Sequence, residues 1–286
     1  MTILLTGAKG MLAADVKRQM PADVTLIETD IEELDITAAG AVESFCREQP
    51  PSLVFNCAAY TAVDAAETDT AAAYAVNETG PRVLASTCAL LEIPLVHVST
   101  DFVFFGDGSR PLREDDETAP RGVYALSKRA GEIAIESSGC TFLTVRTSWL
   151  YGAAGKNFPD TMLKLAAERD RLTVVNDQAG SPTYSLDLAE GLWKLINAGA
   201  TGYVHFSNSG ACTWYDFAVE TIRLGKEYGQ LPADKHIEVV PVTSAEFVRP
   251  APRPSYSVMD TGKYAEITGA PPRPWQEGLR AYITAK

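Results

Sequence analysis

Leu4-Leu5-Thr6-Gly7-Ala8-Lys9-Gly10-Met11-Leu12-Ala13 runs from an apolar stretch, through two glycines, into a helical pattern. Small residues at such a strand-to-helix turn let the backbone approach a pyrophosphate, and a helix N-terminus favours its negative charge. The spacing is G-x-x-G-x-x-A, not the commoner G-x-G-x-x-G, so Gly7 and Gly10 shape the turn and Ala13 takes the position that limits helix–strand packing distance. Asp30 closes the next apolar run, about 20 residues on, where a carboxylate accepts hydrogen bonds from an adenosine ribose. No arginine follows Asp30 directly. The turn therefore leans weakly to NADH, with NADPH left open and Lys9 as the available cation for a 2′-phosphate.

Working outward, short apolar runs at 3–6, 25–27, 53–55, 95–98 and 142–145 alternate with helical patterns at 11–20, 38–48, 70–91 and 122–137. Gly80-Pro81 interrupts the third helical stretch. Strand–helix alternation of this kind predicts a parallel sheet covered on both faces. After Trp149 the texture changes. Helical stretches at 158–169, 185–198 and 213–228 alternate with short apolar runs at 172–175 and 203–206, and prolines crowd 241–254 and 271–274. The expected fold is α/β, a Rossmann-type doubly wound parallel sheet with a smaller C-terminal lobe. Residues 1–150 are expected to form mainly the NAD(P)-binding core. Residues 151–286 are expected to form mainly the substrate-binding lobe, with some segments returning to the core.

Composition narrows the class. At 46% hydrophobic and 22% charged residues the chain reads as an ordinary globular protein, and its formal net charge of −12 argues against a general nucleic-acid or membrane-surface role. No apolar run is long enough to span a bilayer, and the N-terminus lacks the basic and cleavage regions of a signal peptide, which points to the cytoplasm. Cys46, Cys57, Cys88, Cys140 and Cys212 are scattered, without metal-ligand or C-x-x-C spacing, and read as free thiols. His97 and His205 fall inside apolar strand patterns and read as core residues. No metal site is expected.

Two further motifs carry chemistry. In Tyr124-Ala-Leu-Ser-Lys128 the phenol and the ammonium are four residues apart, hence on one helix face. A lysine ammonium beside a phenol stabilises the phenolate and draws its pKa down, so the pair can deliver a proton to a carbonyl oxygen as a hydride arrives. Ser99-Thr100-Asp101 precedes it by about two dozen residues. Taken alone, a Y-x-x-x-K pair is equally a surface tyrosine packed along a lysine stem.

With these motifs in place, the chain resembles the extended short-chain dehydrogenase/reductase superfamily and, within it, the dTDP-4-dehydrorhamnose reductase family. The resemblance runs nearly end to end. It rests on Asn56-Cys-Ala-Ala-Tyr-Thr-Ala-Val-Asp64, Ser99-Thr-Asp-Phe-Val-Phe104 and Tyr124-Ala-Leu-Ser-Lys128, then on Arg146-Thr-Ser-Trp-Leu-Tyr-Gly152, Asn176-Asp-Gln-Ala-Gly-Ser-Pro-Thr183 and Arg253-Pro-Ser-Tyr-Ser257. It implies that Gly10, Met11 and Leu12 line the pyrophosphate turn, that Asp30 meets the ribose, and that Asp35 and Ile36 lie beside adenine. Ala58, Ala59, Tyr60 and Thr61 match the wall after the third strand. Thr100 is implied to hydrogen-bond the reacting carbonyl, Tyr124 to protonate it, and Lys128 to hold the nicotinamide ribose. Asp101, Trp149, Asn157 and Arg253 are implied on the side of a dTDP-sugar substrate. The stretch Val103-Phe104-Phe105-Gly106 departs from the pattern, with Phe105 where a small polar residue is more usual.

The implied reaction is NAD(P)H-dependent reduction of a 4-keto group on a dTDP-linked 6-deoxysugar. A dehydratase of the same fold commonly carries an Asp-Glu pair after the threonine, and here Phe102 follows Asp101. Another nucleotide-sugar epimerase or reductase, or a non-catalytic dinucleotide-binding regulatory subunit, remains the alternative. The sequence leaves homodimerisation open.

Overall fold

The computed structural model describes residues 1–105, 108 and 110–286. The chain begins β1 (Thr2–Thr6), α1 (Met11–Arg18), β2 (Thr25–Thr29), α2 (Ala39–Glu48) and β3 (Leu53–Asn56). Short helices α3 (Val63–Ala66) and α4 (Thr70–Tyr74) then run through a π-turn at Ala75–Thr79 into α5 (Gly80–Leu91). Pro81 is tolerated because it falls in the first turn of α5, so the glycine–proline pair starts a helix instead of breaking one. Next come β4 (Leu95–Thr100), a 3₁₀ turn at Asp101–Val103, α6 (Val123–Glu136) and β5 (Phe142–Thr147).

The second half contains β6 (Leu150–Tyr151), α7 (Phe158–Glu168), β7 (Arg171–Val175), β8 (Ala179–Gly180), β9 (Thr183–Tyr184) and α8 (Ser185–Asn197). It ends with β10 (Gly202–His205), β11 (Cys212–Thr213), α9 (Trp214–Glu227), β12 (Glu238–Val242), α10 (Gly262–Thr268) and α11 (Trp275–Thr284).

Six strands form one parallel sheet in the order β10-β5-β4-β3-β1-β2. The order reverses between β1 and β3, and ligands of open α/β sheets bind outside the strand C-termini at such a switch point. β1 and β3 are almost wholly buried because both faces are covered, which explains their continuous apolar runs. One core cluster packs α1 and α8 on one face, through Ile3, Leu5, Val16, Leu188 and Leu192; a second packs α2 and α5 on the other, through Leu4, Val42, Val54 and Leu84. A third cluster, built on Tyr151, Tyr184, Phe217 and Tyr282, joins α7, α9, β9 and α11 away from the sheet. β10, from the C-terminal half, completes the main sheet beside β5. Among the described residues no helix is long and apolar enough to cross a membrane.

Candidate active site

At the switch point the glycine turn is enforced by contact. Gly7 has φ +67°, and a Cβ there would stand 2.6 Å from the backbone nitrogen of Ala58. Only glycine fits both the conformation and the approach of β1 to the segment after β3. Gly10 caps α1 and its N–H donates to the Gly7 carbonyl at 3.0 Å. Met11 and Leu12 follow as the first helical turn, whose N–H groups have no partner within the helix. The Leu12 side chain is buried in the core, so only its backbone faces a ligand.

A cleft of about 410 Å³ opens there, lined by Gly7, Gly10, Asp30, Asp35, Ile36, Ala58 and Ala59. Lys9, Ile31, Leu34, Thr37, Cys57 and Val76 complete it. Val76 reaches the cleft from the π-turn, which no local motif announces. Tyr60 and Thr61 lie beyond the lining: the Tyr60 backbone is clamped by the Asn77 amide at 2.9 and 3.0 Å, and Thr61 is exposed. The Asp30 carboxylate accepts from the backbone N–H of Lys9 and of Ile31, both at 2.9 Å, so it is oriented by the turn itself. The Lys9 ammonium is committed to Glu32 at 2.7 Å, with Glu33 at 3.7 Å, and is not a free cation beside Asp30. A tight glycine approach, an open helix N-terminus and an oriented carboxylate together fit a dinucleotide.

Thr100 ends β4, and its hydroxyl accepts from Phe102 N–H at 3.2 Å and donates to Asp101 Oδ1 at 3.1 Å. Tyr124, in the first turn of α6, meets the Phe102 ring edge-on at 5.6 Å. Burial pushes the Tyr124 phenol up to about 12, opposed by its hydrogen-bonding contact with Thr100 and aided by the Asp101 charge. This corrects the expectation that Lys128 draws the phenol down. The two do share a helix face, but the Lys128 side chain runs inward, where Nζ donates to the Val98 carbonyl at 2.8 Å and faces His97 Nε2 at 3.4 Å. Burial in turn lowers Lys128 to about 8, against the raising effects of Glu132 and Cys57. Asp101 is buried and pushed up to about 6 by that burial, with hydrogen bonds from Ser257 and Thr100 opposing. Its Oδ2 has no hydrogen-bond partner among the described residues.

A second cavity, of about 520 Å³, is connected to Phe102 through Arg253. Its wall carries Trp214 and Phe158 beside Lys156, Arg249 and Arg253. Trp149 adopts φ +47°, a left-handed conformation rare for an aromatic residue, and its indole stacks on Trp214 with ring centroids 3.6 Å apart and planes at 9°. Gly180 makes room for it, since a Cβ there would lie 2.5 Å from the Trp149 ring. Trp149 thus meets the cavity through Trp214, which sequence reasoning missed because residues 213–228 register only as an amphipathic helix.

Arg253 lines the same cavity, pairs with Asp64 at 2.9 Å, and places its guanidinium 5.7 Å from the Phe102 ring centroid. Asn157 also lines it, but its amide is consumed: Oδ1 caps α7 through Asp160 N–H, while Nδ2 donates to the Gly152 carbonyl and the Tyr282 hydroxyl. Asn157 is therefore an architectural cap here, not a free ligand group. Phe105 lies under the Arg121 guanidinium at 4.1 Å; Gly106 falls outside the described residues. No group of side chains suited to a metal ion occurs among the described residues.

Known proteins align with this chain from end to end. A sequence model of the family described as RmlD substrate binding domain matches residues 1–286. A dTDP-4-dehydrorhamnose reductase of Streptomyces griseus is 44% identical over 96% of this chain and 91% of its own. The crystal structure of a dTDP-4-dehydrorhamnose reductase from Clostridium acetobutylicum superposes with a TM-score of 0.93 at 40% identity, covering 100% of this chain and 99% of the other. That of the Bacillus anthracis dTDP-4-dehydrorhamnose reductase in complex with NADP gives 0.92 at 36% identity, with the same coverage.

Proposed function

We propose that this chain, which belongs to the RmlD substrate binding domain family, reduces the C4 keto group of dTDP-4-dehydro-L-rhamnose to give dTDP-L-rhamnose, using NADPH or NADH. The observation that carries this reading is that Tyr124 is connected through its neighbours to both sites. Lys128 beneath it borders Cys57 of the cofactor cleft, and Phe102 against it carries Arg253 of the second cavity. A proton donor whose neighbours reach both a dinucleotide cleft and an aromatic, basic cavity suits hydride transfer to a nucleotide-linked carbonyl. The names of the relatives supply the sugar.

The nicotinamide cofactor, when bound, supplies the hydride; the protein supplies orientation and proton delivery. Gly7, Gly10 and the first turn of α1 hold the pyrophosphate, Asp30 the adenosine ribose, and Lys128 the second ribose. Tyr124 meets the carbonyl oxygen as negative charge develops there. A phenol held near 12 is fully protonated at neutral pH, as an acid in the reductive direction must be. An alkoxide is more basic than a phenolate, so the proton moves once the carbonyl carbon has been reduced. Lys128, its Nζ anchored on the Val98 carbonyl, keeps the second ribose in place beneath the phenol. Thr100 stands beside the phenol and becomes the second donor to the developing oxyanion when its hydroxyl turns from Asp101 Oδ1.

Asp101 Oδ2 is matched to a sugar hydroxyl, because a buried, unpartnered carboxylate oxygen beside the reacting group is costly without one. Trp214 and Phe158 offer a platform for the base, and Lys156, Arg249 and Arg253 supply cations for the diphosphate. We assign residues 1–150 mainly to cofactor binding and 151–286 mainly to substrate binding, with α8, β10 and α10 returned to the core. The separate aromatic cluster of the second half supports that division. Residence in the cytoplasm belongs to the same reading, supported by five free cysteines.

Phe102, edge-on to Tyr124, occupies the place of a second carboxylate and disfavours dehydration. The test is stoichiometric. With dTDP-4-dehydro-L-rhamnose, one NAD(P)H should be consumed per dTDP-L-rhamnose formed, followed at the nicotinamide absorbance with the product identified by chromatography. Interconversion of sugars without net NAD(P)H consumption would refute the reading.

A further inference from the structure

Asn56, His97 and Lys128 form a buried chain of side chains behind Tyr124 that proton transfer to the carbonyl does not itself use. Asn56 ends β3, and its Oδ1 accepts from the Ala58 backbone N–H at 3.0 Å and from the Thr6 hydroxyl at 2.7 Å. A backbone N–H can only donate, so this end of the amide is the oxygen, and the other end is the nitrogen. That nitrogen, Nδ2, faces His97 Nδ1 at 3.0 Å. Nδ1 must then accept and carries no proton. His97 is wholly buried on β4, and burial, with the Lys128 charge, lowers its pKa well below the usual value, so the ring is neutral. Its single proton sits on Nε2, which faces Lys128 Nζ at 3.4 Å.

An N–H directed at an ammonium opposes donor to donor, whereas a neutral amine offers it a lone pair. The Val98 carbonyl, 2.8 Å from Nζ, takes one lysine proton. We propose that His97, oriented by Asn56, is a positioning residue for the reduction, whose Nε2–H steers the Lys128 protons toward Val98 and the cofactor side and sets the pH at which Lys128 loses its charge. The other groups facing Lys128 are Glu132 on its own helix and Cys57 after β3; both favour the charged form, and burial opposes them. The proposal rests on the reading of Tyr124 as the proton donor and Lys128 as the holder of the cofactor's second ribose; the tautomer of His97 does not.

The chain contains three histidines, and each has a distinct environment. His205 is buried with Nδ1 3.1 Å from the Leu112 carbonyl, so it carries its proton on Nδ1, the opposite tautomer. His236 is exposed. Long-range ¹H–¹⁵N correlation spectra of ¹⁵N-histidine-labelled protein between pH 6 and pH 9 (roughly the range in which an ordinary histidine finishes titrating) resolve these states. The expected spectrum shows two neutral rings of opposite tautomer for the buried histidines, the Nε2–H ring disappearing in His97→Gln. A charged His97, or one protonated on Nδ1, overturns the proposal.

The second arm is Asn56→Asp. It keeps an acceptor for Ala58 and Thr6 but removes the donor to His97, drawing the ring proton onto Nδ1 and presenting a lone pair to Lys128. The alkaline limb of kcat/KM should move up by about one pH unit. An inverted tautomer with an unmoved pH profile overturns the link to Lys128. The wild-type spectrum decides the tautomer even if this variant does not fold. Wild-type protein with the expected tautomer and no reductase turnover contradicts the function reading, and with it the catalytic role, while leaving the tautomer lock intact.

Discussion

The indoles of Trp149 and Trp214 lie in parallel contact, ring centroids 3.6 Å apart and planes at 9°, although one ends the sheet-forming half of the chain and the other starts α9. The stack ties the end of β5 to the wall of the second cavity. Trp149 holds a left-handed backbone conformation to make it, and Gly180 leaves space for the ring. Strain of this kind persists where the surroundings impose it.

Trp214→Ala should therefore weaken the nucleotide sugar more than the cofactor. Base–aromatic stacking contributes ~1–3 kcal/mol, so KM for the dTDP-sugar should rise about tenfold or more. KM for NAD(P)H should stay near the wild-type value. Steady-state kinetics with each substrate varied in turn makes the check, and equal effects on both would remove Trp214 from the substrate side.

Gly7→Ala should damage cofactor binding. The residue needs φ +67°, and its Cβ would stand 2.6 Å from Ala58 N, so β1 and the segment after β3 must separate. The expected cost is ~1–3 kcal/mol of conformational strain, and fluorescence titration should give a cofactor Kd at least about tenfold weaker. Unchanged affinity would mean that the glycine turn does not hold the dinucleotide.

Glu132 and Arg146 form a bidentate pair at 2.9 Å, with side-chain exposures of 0% and 2%. Removing one partner leaves a buried uncompensated charge, so Glu132→Gln should cost ~3–5 kcal/mol in denaturant unfolding. A double replacement by apolar residues of similar volume should cost less than either single change.

Burial lowers the pKa of His205 to about 3 and that of His97 well below its usual value. Both stay neutral in the fold while the unfolded chain takes up their protons below about pH 6.5. Stability from these groups is thus complete above that pH and is lost as pH falls, by ~1.4 kcal/mol per pH unit for each histidine. Asp101 has the opposite sign: its folded pKa is raised to about 6, so its contribution is lost as pH rises from the usual carboxyl range through 6. Urea midpoints between pH 4 and 7 (roughly the window spanned by these shifts) should fall less steeply on acidification in His205→Gln than in wild type, and more steeply in Asp101→Asn.

The parts of the site written in contiguous residues were legible in the sequence. The glycine turn, Ser99-Thr100-Asp101 and Tyr124-x-x-x-Lys128 lie at strand ends or on one helix turn, where local periodicity places them. The direction of Lys128 was not legible, because it depends on the Val98 carbonyl and His97 of a neighbouring strand. His97 read only as a core residue for the same reason: its partners are set by the register of β3 against β4. Trp214 and Gly180 acquire meaning only through Trp149, far away in sequence. Asn157 resembled a ligand residue, yet its amide proved to be fully used by α7, Gly152 and Tyr282. A resemblance carries residue identities across, while hydrogen-bond capacity is counted only in three dimensions.

The central claim is that Tyr124 delivers the proton. Its most direct test is single-turnover reduction of dTDP-4-dehydro-L-rhamnose by Tyr124→Phe, with cofactor saturating and its Kd measured separately. Loss of the hydroxyl should lower the rate by ~10²–10⁴-fold while cofactor affinity is unchanged. A Tyr124→Phe enzyme that turns over at close to the wild-type rate would contradict the account.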